Sequence, residues 1–210
     1  MLKKVLIFVL ICFCMESYAQ QGYFQVQVGQ QFLRDKNVGG YEFSKVGLGG
    51  YVMFNEEVGS STNFDLSIMK GFNKRHGIQL GFGLFRFDSR LDFEVVTDLC
   101  CGSDTLRIGV GNRNYSIYLG YSYTQEITSS WRCHLNAGPV FAFGGKSDFY
   151  FAKEYFSVYF KPGLQYVTKY GLVLECNGVL LRSLQNLSTF ETGTFIPFQW
   201  GVDFRVGKEF

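Results

Sequence analysis

Proline is scarce in this chain of 210 residues, at 3, and histidine is scarcer still, at 2. Beyond the N-terminus no apolar run approaches the ~20 residues that a membrane-spanning helix needs. No block of Lys or Arg stands out either: 20 basic residues face 18 acidic ones, for a formal net charge of +2. The lack of long apolar runs removes helical membrane spans, and the balanced charge removes the case for nucleic acid. Two histidines leave little material for imidazole-based catalysis or metal binding. Aromatic residues and glycine, in contrast, are abundant. The chain holds 23 Phe, 13 Tyr and 25 Gly, and that enrichment without helical periodicity points to an all-β protein.

The N-terminus reads as an export signal. Lys3 and Lys4 precede an apolar stretch from Val5 to Cys14, and Ser17-Tyr18-Ala19 presents small residues before Gln20. Such a stretch is about half the length of a spanning helix. Cys12 and Cys14 follow Ile11 and Phe13, where a lipoprotein signal needs a small residue, so no lipid anchor is expected. Residues 1–19 are therefore expected to be a cleaved signal peptide, leaving material for one domain.

Beyond Gln20 the chain alternates with a period of two. Phe24, Val26, Val28 and Phe32 oppose Gln25, Gln27, Gly29 and Gln31. Tyr115, Ile117, Leu119, Tyr121 and Tyr123 oppose Asn114, Ser116, Tyr118, Gly120 and Ser122. The last strand sets Phe198, Trp200, Val202, Phe204 and Val206 against Gln199, Gly201, Asp203, Arg205 and Gly207. A strand of about 11 residues, tilted near 45°, rises ~26 Å, which matches the ~25 Å apolar band of a membrane barrel. The expected fold is an all-β, transmembrane, up-and-down antiparallel β-barrel of eight strands, with ten as the alternative.

Nine segments alternate in this way, and an even count is required. Counting back from the C-terminus puts 73–75, 124–130 and 169 at short turns. The stretches 55–61, 88–113, 144–154 and 181–195 fall at the opposite end. The strand at 43–54, with Val46, Leu48, Val52 and Phe54 against Lys45, Gly47, Gly49 and Tyr51, then starts the barrel from the turn end, and the segment at 22–33 is surplus, so residues 20–41 are expected to form an N-terminal arm or extra strand, and 42–210 the barrel. Leu91-Phe93-Val95 and Leu106-Ile108-Val110 are read as strands prolonged beyond the membrane. Between Val110 and Tyr115 the apolar residues change parity, which predicts a bulge near Gly111 to Asn114.

The inward-facing charged set is Lys45, Asp65, Arg132, His134, Lys161, Glu175, Asp203 and Arg205. An eight-stranded barrel is only wide enough to be filled by side chains, so these groups are expected to pair across the interior. Inward glycines (Gly47, Gly49, Gly81, Gly83) would leave room for a narrow conduit. A hydrolase would need a serine beside a histidine. His76 falls at a turn, and His134 has no serine two residues away on its own face. No catalytic residue, cofactor or metal ligand is expected. Cys133 and Cys176 point outward on non-neighbouring strands, whereas Cys100 and Cys101 sit at a loop tip as a candidate vicinal disulfide or intermolecular bond.

The export signal, the strand pattern, Ala137-Gly138-Pro139 and the terminal Gly207-Lys208-Glu209-Phe210 together resemble the small porin-like outer-membrane β-barrels common in Bacteroidota. That resemblance implies an integral outer-membrane location, with membrane lipid and the barrel-insertion machinery as partners. Phe204, Val206 and Phe210 would form the insertion signal. It implies no shared activity. The expected function is a non-enzymatic barrel with a structural or surface-interaction role through its outer loops, which would meet an unidentified protein partner. A narrow passive channel and an accessory subunit of a secretion or uptake assembly are the alternatives.

Overall fold

The computed structural model describes residues 22–37, 44–46, 50–57, 59–96, 103–147, 154–187 and 196–210. The expected signal peptide and the Cys100–Cys101 tip lie outside the described residues. Every regular element described is a strand: β1 (Phe24–Asn37), β2 (Ser44–Val46), β3 (Gly50–Glu57), β4 (Gly59–Gly71), β5 (His76–Val96), β6 (Ser103–Glu126), β7 (Trp131–Ser147), β8 (Tyr155–Val167), β9 (Leu172–Ser183) and β10 (Pro197–Glu209).

Chain neighbours from β4 to β10 pair antiparallel, and β1 joins the two ends of that series. It pairs with β10 from Gln25–Glu209 to Asn37–Pro197, and with β4 from Phe24–Lys70 to Asp35–Gly59. The result is a closed eight-stranded antiparallel barrel. Closure leaves neither edge of the barrel wall without a partner, which is what hydrocarbon surroundings demand of a sheet.

This pairing corrects the strand assignment at the N-terminus. Residues 24–37 are neither an arm nor a supernumerary strand; they are the stave that closes the barrel. The spanning role expected for 43–54 falls away, because β3 pairs with the far part of β5, at Tyr51–Val96 through Glu57–Arg90. Strand β2 pairs only with β3. Period-two alternation is present in both segments, so it cannot say which one closes the cylinder. The hydrogen-bonding need of β10 decides it.

The short connections at 72–75, 127–130 and 168–171 share one end with the start of β1 and the C-terminal Phe210. Phe24 and Phe210 exchange backbone hydrogen bonds there, at 3.4 and 2.8 Å. At the other end β5 and β6 continue as a ladder, paired without interruption from His76–Tyr123 to Val96–Ser103. The expected irregularity near Gly111 to Asn114 is present, but the extra residue belongs to the partner strand. The register shift lies between β6 and β7, where Arg113–Lys146 gives way to Tyr115–Phe143. Two steps on β6 match three on β7, so the extra residue is in β7. Gly144 takes it up with a φ of 68°, a conformation that costs glycine nothing sterically.

Side chains obey the pleat. Val28, Leu66, Phe82, Leu119, Phe160 and Phe204 are among a belt of exposed apolar groups, with Val28 at 59% and Phe204 at 50% exposure. A contiguous apolar surface of this extent would be a liability in water and is a requirement in lipid. Aromatic pairs ring both ends of the belt. Trp131–Tyr166 and Phe24–Phe210 stand at the turn end, and Tyr115–Phe143 with Phe141–Phe156 at the loop end.

Candidate functional site

The same alternation that puts apolar groups outside sends polar ones into the lumen. Its middle is held by Arg205, which is 2% exposed. The guanidinium Nε donates to Asp203 Oδ2 at 2.8 Å, and Nη2 donates to Asp65 Oδ2 at 2.7 Å. Nη1 donates to Ser67 Oγ at 2.9 Å and to the Tyr118 hydroxyl at 3.2 Å. Lys161 donates to Asp203 Oδ2 at 3.0 Å and lies 3.8 Å from Asp65 Oδ2. Its ammonium also stands over the rings of Tyr118 and Tyr159, at 5.2 and 5.4 Å. Buried charges persist only when they are paired and hydrogen-bonded, and here strands β4, β6, β8 and β10 all contribute.

One level toward the turn end, Glu175 is saturated by amide donors. Gln27, Gln165 and Asn177 donate to it at 2.9, 3.0 and 2.6 Å, and His134 Nε2 lies 3.5 Å away. The turn-end mouth is crossed by Arg132, whose two terminal nitrogens donate to Glu209 at 2.5 and 3.1 Å. Gln25 donates to the same carboxylate at 2.6 Å. Arg132 also stands 5.7 Å over the ring of Tyr23. Burial raises the Tyr23 hydroxyl above its ordinary range, and it shares a hydrogen bond with Thr124 Oγ1, 3.3 Å away. At the loop end Asp35 accepts from Ser61 at 3.1 Å and from Gln199, and Leu187 of the β9–β10 connection is buried.

The structure thus brings Asp65, Lys161, Asp203 and Arg205 into one cluster. His134 and Glu175 sit beside it, and Arg132 stands apart at the mouth. The side chain of Lys45 lies outside the described residues. Sequence reasoning missed Glu209, which the parity of β10 sends inward two residues beyond Gly207. It also missed the amide ladder of Gln25, Gln27, Gln79 and Gln165. Glutamine carries no charge to flag it, but the inward glutamines recurring at odd positions of β1 were a visible signal.

A cavity of about 30 Å³ lies on the loop side of Tyr118 and Tyr159, lined by Gln31, Asn63, Ser116, Lys161, Val140 and Leu181 among others, which is room for about two waters. At Gly81 the conduit that inward glycines suggested is filled. A Cβ on Gly81 would meet the Tyr118 ring at 2.0 Å, so that glycine is the slot in which the ring lies. Gly47 and Gly49 lie outside the described residues.

One arrangement has the composition of a hydrolytic triad. Ser122 Oγ is 3.5 Å from His134 Nδ1, and Glu175 faces the other ring nitrogen. Ser122 is completely buried, and it does not line the cavity. A nucleophile must reach a carbonyl carbon, and this one faces only other side chains. The trio is packed within the polar fill of the lumen.

No protein-family model matches the chain, and no curated protein matches its sequence. Solved structures do match. Neisserial surface protein A aligns with a TM-score of 0.54 at 12% identity, covering 89% of this chain and 97% of the other. The outer membrane protein OprG from Pseudomonas aeruginosa aligns with a TM-score of 0.51 at 13% identity, covering 90% and 96%. The fold is that of the small outer-membrane β-barrels. With identities this low, the likeness extends to the architecture. Within that architecture, Cys133 and Cys176 are exposed free thiols on β7 and β9.

Proposed function

We propose that this chain is an integral outer-membrane barrel of the Bacteroidota porin-like type, exported by cleavage after Ala19 and inserted through recognition of Phe204, Val206 and Phe210. Its barrel is a sealed anchor, and its work is done by the sheet that β2, β3, β5 and β6 raise beyond the membrane. The observation that carries this reading is the filled lumen. An ion-paired cluster occupies the middle of the described lumen, Arg132–Glu209 spans one mouth, and the cavity beside Tyr118 and Tyr159 has room for about two waters.

The strand lengths support the second half of the proposal. Strands β5 and β6 contain 21 and 24 residues, against 13 in β8. The difference of about ten residues raises the hairpin roughly 25 Å beyond the rim at a 45° tilt. An antiparallel ladder that long, outside the lipid, presents a protein partner with a firm surface rather than a slack loop. Planar-bilayer recording from purified, refolded protein tests the seal. Silence over the ordinary voltage range is expected, and stable single-channel steps would replace this reading with that of a passive channel.

A further inference from the structure

Two of the three prolines stand inside staves rather than at their ends: Pro139 in β7 and Pro162 in β8. Proline has no N–H, so inside a sheet it leaves a carbonyl of the neighbouring strand without its donor. The β6–β7 pairing runs to Tyr118–Val140 and resumes at Tyr121–Ala137. In that interval the Leu119 carbonyl faces β7, so close to Gly138 that a Cβ there would meet it at 2.0 Å. The β8–β9 pairing likewise runs to Phe160–Leu180 and resumes at Gly163–Asn177. Gly178 lies in this second interval, against Pro162. The Cys176 carbonyl points toward β8, 2.5 Å from the Cβ position of Gly163, and the carbonyl two residues on points the same way.

Both breaks lie on the outer flanks of one hairpin. Between them β7 and β8 hold each other without a gap, from Trp131–Tyr166 to Ala142–Tyr155. Tyr159 of β8 donates to Asn136 of β7 at 2.7 Å, and the rings of Phe141 and Phe156 pack at 4.8 Å. On the loop side of the breaks the outer attachments are short. Strand β7 meets β6 at four consecutive positions, Tyr115–Phe143 to Tyr118–Val140, before the bulge at Gly144 interrupts the ladder again. Strand β8 meets β9 at four, Ser157–Ser183 to Phe160–Leu180, and Leu184 N adds a bond to Phe156 O at 2.9 Å. Inside, Asn114 of β6 donates to the Tyr155 hydroxyl at 3.3 Å. Val140 and Tyr159 form one wall of the loop-side cavity.

We propose that the loop-end half of this hairpin, residues 140–147 with 155–160, is a flap that swings outward as one body about Pro139 and Pro162 and uncovers the loop-side cavity. The Asn114–Tyr155 hydrogen bond is its latch. A carbonyl that already lacks its donor gives up nothing when the strands part at that level, so opening breaks only the two short ladders beyond it. The aromatic girdle at Tyr115, Phe143, Phe141 and Phe156 puts the rim of the flap where hydrocarbon gives way to headgroups. Water at that depth can take the freed backbone groups. Lys161, Arg205 and Arg132 lie outside the flap, so the ion-paired cluster and the turn-end mouth keep their contacts while it moves.

Hydrogen exchange of the full mature chain folded in micelles, read by mass spectrometry, tests the flap. Amides at 140–143 and 156–160 should exchange at a common rate, at least about tenfold faster than those at 26–32 of β1, whose ladders are unbroken on both sides. Pro139→Val returns an N–H to the Leu119 carbonyl at an outward-facing position. It should slow exchange in both strands by a similar factor, because the flap moves as a body. Tyr155→Phe removes the latch and should speed both. A gel comparison of boiled and unboiled samples establishes that each variant is folded, and Pro162→Val, with the same expectation, serves if Pro139→Val is not. Equal protection of the flap and β1 in the wild type would overturn the proposal. So would no response to a folded variant, or slowing confined to the strand that carries the substitution, which is the mark of a frayed seam.

Discussion

Arg205 is the residue on which the lumen depends most. It touches two carboxylates, a serine and a phenol, all in a wall surrounded by hydrocarbon. Arg205→Met should cost about 3–5 kcal/mol, because Asp65 and Asp203 would be left with Lys161 as their one buried cation. Urea unfolding from micelles, followed by tryptophan fluorescence, measures it. Gln199→Met, by contrast, removes a neutral donor from Asp35 while Ser61 still supplies one, and should cost about 1–3 kcal/mol. Gly81→Val tests the slot under Tyr118. The collision at 2.0 Å is with a ring wedged against Tyr159 and Arg205, so the variant should fail to give the compact unboiled band on a denaturing gel. These inward residues were legible from parity, but their partners were not. Arg205 and Asp65 are 140 positions apart, and nothing local in either strand selects the other.

At the scale of elements, each strand carries two faces that tolerate different chemistry. Leu119 lies midway along the part of β6 that spans the apolar belt, on the lipid face, and is 51% exposed. Leu119→Arg should therefore cost about 2–4 kcal/mol, the range for a cation near the bilayer midplane, and should lower the temperature at which the folded band converts to the unfolded one. Strand β1 supplies a sharper test. Deleting residues 22–37 removes the partner of β10 along its whole length and exposes an unpaired edge. No heat-modifiable monomer should form, and the product should aggregate. Survival of a folded barrel after that deletion would restore the reading of this segment as an arm. The alternation in β1 was visible in the sequence, yet strand counting assigned it no place, because the 43–54 segment alternates equally well. The two compete for one position, and only the complete hydrogen bonding of the closed sheet separates them.

For the molecule as a whole, Cys176 reports the relation of the barrel to lipid. Its register partners are Phe204 on β10 and Leu164 on β8, both exposed apolar groups. In reconstituted vesicles a membrane-impermeant maleimide should leave Cys176 unmodified, while denaturation in hot detergent should expose it. Labelling in intact vesicles at the rate of a free thiol would place the belt in water and contradict the membrane reading. The same reagent applied to whole cells after mild reduction should reach Cys100 and Cys101, if the β5–β6 extension stands on the outer side as proposed.

Which face of each strand meets lipid, where the chain turns tightly, and that the interior would be polar and charged were all determined by the sequence alone. The physical reason is that a pleated strand alternates its side chains regardless of what lies beside it, so a period of two is written locally and can be read locally. Tertiary structure decided the rest: that β1 rather than 43–54 closes the cylinder, that the bulge falls at Gly144 in β7, and that Arg205 meets Asp65 while Arg132 meets Glu209. Those outcomes depend on the stagger between strands, and in a closed barrel the stagger is shared by all eight staves at once. No single segment carries it, so no single segment discloses it.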